Sequence, residues 1–137
     1  MIIYQSQNVI IKYNDPDKQV IQNWYNFVSS VEFREAIDFT VSYIKNNEVL
    51  SILSDTLKQM AVKPEDSEYA ASAMTPLFQE GLKAMAFVIP EDIFTKMSLK
   101  KFADLEQKNQ HKVEYFHNVE EAKLWVKSVI DSNESNE

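Results

Sequence analysis

The chain has no cysteine, and that absence excludes disulfide frameworks, thiolate zinc sites, iron–sulfur clusters and cysteine nucleophiles together. It has two histidines, His111 and His117, so neither a His-x-x-x-His zinc helix nor a three-histidine metal site can be built. Glycine occurs once, as Gly81, where average usage of roughly 7% would supply about ten. Phosphate-cradling loops and nucleophile elbows need clustered glycine for positive φ or close backbone approach, so P-loop, dinucleotide-binding and esterase-type sites are excluded. Arginine also occurs once, as Arg34, which removes arginine-cluster recognition of phosphate or guanine. No stretch approaches the ~18 consecutive apolar residues of a membrane-spanning helix, and no basic segment with an apolar run opens the chain.

What is present is the material of one ordinary domain. The 137 residues are 45% apolar and 26% charged, enough to bury a core without a disulfide or metal. Fourteen basic against twenty-one acidic residues give a net charge of -7, which repels nucleic acid and anionic lipid. These features lead us to expect a cytoplasmic protein with no nucleic-acid partner, no integral membrane segment and no cofactor. Residues 1–130 are expected to form the domain, and the polar, acidic stretch 131–137 a disordered tail.

Periodicity places the elements. Ile2–Tyr4, Val9–Tyr13 and Val20–Phe27 are short, β-branched and aromatic, with Asn14-Asp15-Pro16-Asp17 as a turn. Ser29-x-x-Glu32 reads as a capping box, followed by Phe33, Ala36, Ile37, Thr40 and Ile44 at helical spacing to about Asn47. Val49–Leu53 is a buried strand ended by Ser54-Asp55. Pro64, Glu65 and Asp66 open a second helix, which Pro76 should kink and Gly81 should close. Ala84–Ile89 is a further strand, halted by Pro90. Ile93, Phe94, Met97, Phe102 and Leu105 mark a third helix, Val113–Phe116 another strand, and Asn118 caps a last helix with stripe Val119, Ala122, Trp125, Val126 and Val129. Alternating helix and strand predicts parallel strands with right-handed crossovers. The expected fold is therefore α/β: a mixed sheet of five or six strands, an N-terminal antiparallel hairpin joined to three parallel strands, with about four helices.

Several stretches, in this order, resemble the SpoIIAA-like domains, relatives of the STAS fold. They are the tryptophan-bearing strand leading into Ser29-Ser30-Val31-Glu32-Phe33-Arg34-Glu35-Ala36, the strand Ile52-Leu53-Ser54-Asp55, Pro64-Glu65-Asp66, Gly81-Leu82-Lys83-Ala84-Met85-Ala86-Phe87-Val88-Ile89-Pro90, and Phe116-His117-Asn118-Val119-Glu120-Glu121-Ala122-Lys123-Leu124-Trp125. The likeness covers nearly the whole chain and is carried by order and spacing. It implies a bacterial member of a group that works by binding rather than by chemistry, some relatives being shaped to hold an apolar ligand. The regulators of that group carry a phosphorylatable serine in an Asp-Ser-Ser-Gly stretch. This chain reads Ser54-Asp55-Thr56-Leu57-Lys58-Gln59-Met60 there, so the resemblance does not extend to that switch.

Ligands of open α/β sheets sit beyond the carboxyl ends of the strands. Those ends carry Asp55 and Thr56, Glu91 and Asp92, and His117 and Asn118, which makes these six the candidate ligand-binding residues. Three carboxylates and an imidazole are also the ingredients of an acid/base pair or a hard-metal site. Local roles account for them equally: Asn118 as a cap, Glu91 and Asp92 as dipole acids, Asp55 as a turn residue. No catalytic residue and no metal ligand is assigned. Phe39 and Tyr43 lie outside the first helix's stripe and, with Met60, Met74, Met85 and Met97, form an apolar surplus suited to a pocket or a partner face. Lys96, Lys100, Lys101, Lys108, His111 and Lys112 form a basic strip. The expected function is a non-enzymatic, STAS-like regulatory module acting through contact with another protein, or with itself through the N-terminal edge strand. The alternative is a carrier of a small, lipid-like apolar molecule held between sheet and helices. An enzyme using the strand-end carboxylates and His117 comes third.

Overall fold

The structure, a computed structural model, describes residues 1–95 and 112–135. Three strands come first, β1 (Ile2–Gln5), β2 (Val9–Asn14) and β3 (Gln19–Asn26). Apolar residues at every second position put Val9, Ile11, Tyr13, Val20 and Trp24 on one face of a pleated ribbon. The turn between β2 and β3 uses Pro16 to preset its backbone and Lys18 in the left-handed region (φ 52) to close it. Lys18 N–H donates to the Asp15 carbonyl at 3.1 Å.

Helix α1 (Ser30–Asn46) returns the chain so that β4 (Ser51–Gln59) lies parallel to β3. Helix α2 (Pro64–Met74) continues as a 3-10 turn, Thr75–Glu80, before β5 (Ala84–Val88). Residues 91–95 are helical; β6 (Val113–Phe116) and α3 (Val119–Ser135) complete the described chain. The six strands stand in sequence order, antiparallel from β1 to β3 and parallel from β3 to β6. The expected mixed α/β sheet is thus observed at the upper strand number.

Two apolar layers sandwich this sheet. On one face α1 and α2 pack Phe33, Ala36, Ile37, Ile44, Met74 and Leu77 against Val20, Trp24, Ile52 and Met85. On the other, Ala122 and Val126 of α3 meet Leu53, Ala84, Ala86 and Val88. Ile52 and Leu53, adjacent in sequence, therefore face opposite cores, which is why β4 reads as a continuous apolar run.

Four details differ from the sequence reading. The strand expected to stop at Ser54-Asp55 runs on to Gln59, because β3 continues to pair with it as far as Asn26. Pro76 does not kink an α-helix; lacking an N–H, it shifts the last turns to 3-10 hydrogen bonding. Phe39 and Tyr43 are not surplus: Phe39 packs on Tyr4 (ring centroids 5.0 Å apart) and Tyr43 on Tyr13 (5.4 Å), covering the N-terminal strands. The stretch expected to be a tail from Asp131 is helical as far as Ser135, since Val129 and Ile130 still hold α3 to its core and extending a docked helix costs little. Met97, Phe102, Leu105 and the strip from Lys96 to His111 lie outside the described residues.

Among the described residues the fully buried polar side chains are paired, whereas Nε2 of the half-buried Gln59 is enclosed without a hydrogen-bond partner. Gln22, 1% exposed, donates from Nε2 to Thr40 Oγ1 at 2.9 Å, and Thr40 donates in turn to the Ala36 carbonyl. Trp24 Nε1 donates to Ser54 Oγ at 2.9 Å, and Gln19 Nε2 to Ser51 Oγ at 3.1 Å.

Removing one partner of the first pair should cost more than removing both. Thr40→Val leaves the Gln22 amide unpaired and should destabilise by about 1–3 kcal/mol in urea unfolding, whereas adding Gln22→Met should recover much of that loss. Gly81, at φ 114 with open space where a Cβ would stand, isolates the backbone term; Gly81→Ala should cost about 1–2 kcal/mol without changing the m-value.

Candidate functional site

The parallel topology brings the six strand-end residues to one end of the sheet. Asp55 is in register with Val88, and Val88 with Phe116, so Glu91, Asp92, His117 and Asn118 all follow within a few residues of that row. Their side chains are nonetheless engaged separately. Asp55 Oδ1 accepts the Leu57 N–H at 3.1 Å, and Thr56 Oγ1 donates to the Val88 carbonyl at 2.9 Å. Asn118 Oδ1 accepts the Glu121 N–H at 2.8 Å and so caps α3. The His117 ring meets Phe94 edge-on, centroids 5.0 Å apart, and Glu91 and Asp92 are exposed at the start of the helical residues 91–95. Among the described residues no three acidic or histidine side chains are grouped to hold a metal ion.

Beside this row the register slips. Asn23 faces Asp55, but Tyr25 faces Lys58, so β4 carries one extra residue, a β-bulge. A hollow of ≈ 100 Å³ lies at the bulge, lined by Asn23, Trp24, Tyr25, Asp55, Leu57 and Lys58. A larger hollow of ≈ 410 Å³, lined by Met1, Lys12, Tyr13, Asn14, Asp15, Pro16 and Ile21, opens on the outer face of β2 and β3. Neither lies between sheet and helices, where the carrier alternative would need its pocket.

The bulge adjoins a corner of which the sequence reading singled out Met60 alone, within its apolar surplus. Phe27, Val31, Leu57 and Met60 are 56%, 70%, 40% and 62% exposed. Asn26, in the left-handed region at φ 55, turns the chain out of β3, and its carbonyl accepts the Met60 N–H at 2.9 Å, so Phe27 and Met60 emerge side by side. Val31 follows on the first turn of α1. The one available signal was that Val31 and Met60 fit neither the α1 stripe nor any strand alternation.

A polar frame holds the corner in place. The Glu32 carboxylate accepts the Ser6 hydroxyl at 2.5 Å, the Asn8 N–H at 2.7 Å and Asn8 Nδ2 at 3.1 Å, and Asn8 Nδ2 also donates to the Phe27 carbonyl at 3.2 Å. Ser29 Oγ accepts the Glu32 N–H as a capping box requires, but the glutamate reaches across to the β1–β2 turn instead of back to Ser29. Behind it, Asp66 joins the helices: Ser30 Oγ donates to Oδ2 at 2.7 Å and Arg34 Nε to Oδ1 at 3.0 Å, while the guanidinium lies 4.6 Å from the Tyr69 ring centroid. Asp66, expected as a dipole acid, is a buried partner of the single arginine.

Both carboxyls are held below their usual range. For Asp66 the Ser30 hydrogen bond is the largest cause, burial opposes it, and Arg34 adds to the lowering. For Glu32 burial pushes upward, but the bonds from Ser6 and Asn8 together outweigh it.

A search of solved structures finds the crystal structure of an uncharacterised protein from the DUF3478 family, with a SpoIIAA-like fold, from Shewanella loihica PV-4. It matches with a TM-score of 0.53 and 11% identity over 90% of this chain and 98% of that one. Neither the models of known protein families nor the curated proteins give a match.

Because the folded pKa values of Glu32 and Asp66 are depressed, their stabilisation is present above the unfolded carboxylate values of about 4 and is lost as pH falls through the folded values. Thermal melts between neutral and acid pH should show that loss, and Glu32→Gln or Asp66→Asn should lower stability at pH 7 while flattening the acid limb; a variant with the wild-type slope would contradict the assignment. The element order, the mixed parallel sheet and the match over 90% of the chain agree: this protein has a SpoIIAA-like fold.

Proposed function

We propose that the chain is a non-enzymatic, STAS-like binding module, cytoplasmic, whose readout is contact with another protein. The observation that carries this reading is the apolar corner: Phe27, Val31, Leu57 and Met60 are exposed on stretches that the Glu32, Asn8 and Asn26 hydrogen bonds tie together. Exposed apolar residues scattered singly need no explanation, but a framed group of them marks an interaction surface. The frame matters energetically, since a surface already ordered loses little side-chain and loop freedom on binding.

The strand-end residues support the same reading. A catalytic constellation needs convergent groups left free to act, whereas Asp55 and Asn118 accept nearby backbone N–H groups and Thr56 donates to the Val88 carbonyl of the neighbouring strand. Self-association is the second form of the reading. It is favoured by β1, an edge strand whose Ile2, and Met1 just before it, are 53% and 78% exposed. No helix among the described residues is long and apolar enough to cross a membrane.

Native mass spectrometry of the protein purified from its own host tests the proposal. The expected spectrum contains a complex with a second protein, or a dimer, and no discrete small-molecule mass. A monomer carrying a lipid-like mass in stoichiometric amount would replace this reading with the carrier.

A further inference from the structure

We draw no further inference here: the strongest candidate, the exposed apolar corner of Phe27, Val31, Leu57 and Met60 beside the ends of β3 and β4, belongs to the binding surface already described, and nothing in the structure shows what covers it.

Discussion

The opposite pairing of β3 on its two flanks is the constraint on which the rest of the structure depends. Antiparallel to β2, it needs only a tight turn; parallel to β4, it requires the chain to travel the length of the sheet and return, and α1 is that return. Everything on the α1 face follows. Val20, Gln22 and Trp24 point toward the helix, and the one amide among them is accommodated because Thr40 stands opposite with its hydroxyl already tied to α1. A buried glutamine without that partner would cost more than the whole pair contributes. The pair is thus an alignment device as much as a stabilising one, matching α1 to β3 at a single position.

The scarcity of glycine acts on the same junctions. Sharp changes of direction need residues at positive φ, and with one glycine available the chain uses Lys18 at the β2–β3 turn and Asn26 at the exit of β3. Asparagine tolerates the left-handed region better than most residues. Its use at position 26 determines where Phe27 and Met60 come to the surface, because the Asn26 carbonyl receives the Met60 N–H. The bulge between Asn23 and Tyr25 adds a residue to β4 just before that point. Together the two irregularities carry apolar side chains outward at the place where the regular sheet ends, as expected when local departures from ideal geometry gather at functional surfaces.

Most of the fold was legible in the sequence because it is written in short-range periodicity. The strands alternate, the α1 stripe of Phe33, Ala36, Ile37, Thr40 and Ile44 is the buried set observed, and Asn118 caps α3 as its spacing suggested. What failed was whatever depends on a partner distant in sequence. Glu32 has the spacing of a capping box, yet its carboxylate is taken by Ser6 and Asn8, more than twenty residues away. Asp66 has the position of a helix-dipole acid, yet Ser30 and Arg34 claim it. The length of β4 was misjudged because Thr56–Gln59 is polar enough to read as a loop, and only the continued pairing with β3 makes it a strand.

The candidate site shows the same division. Topology placed the six strand-end residues together, as the alternation of elements implied, but hydrogen bonding to the backbone decided what each side chain does: Asp55 and Asn118 turn to nearby N–H groups, and Thr56 to the Val88 carbonyl of β5. The apolar corner was hidden for the converse reason. Phe27 and Met60 lie just past the ends of β3 and β4, Val31 in α1 and Leu57 in β4, so no single window of sequence contains them. They come near one another only because a parallel pairing brings the end of β3 beside the end of β4. The bonds from Ser6 and Asn8 to Glu32, with that from Asn8 to the Phe27 carbonyl, hold the β1–β2 turn against the backbone from which Phe27 projects.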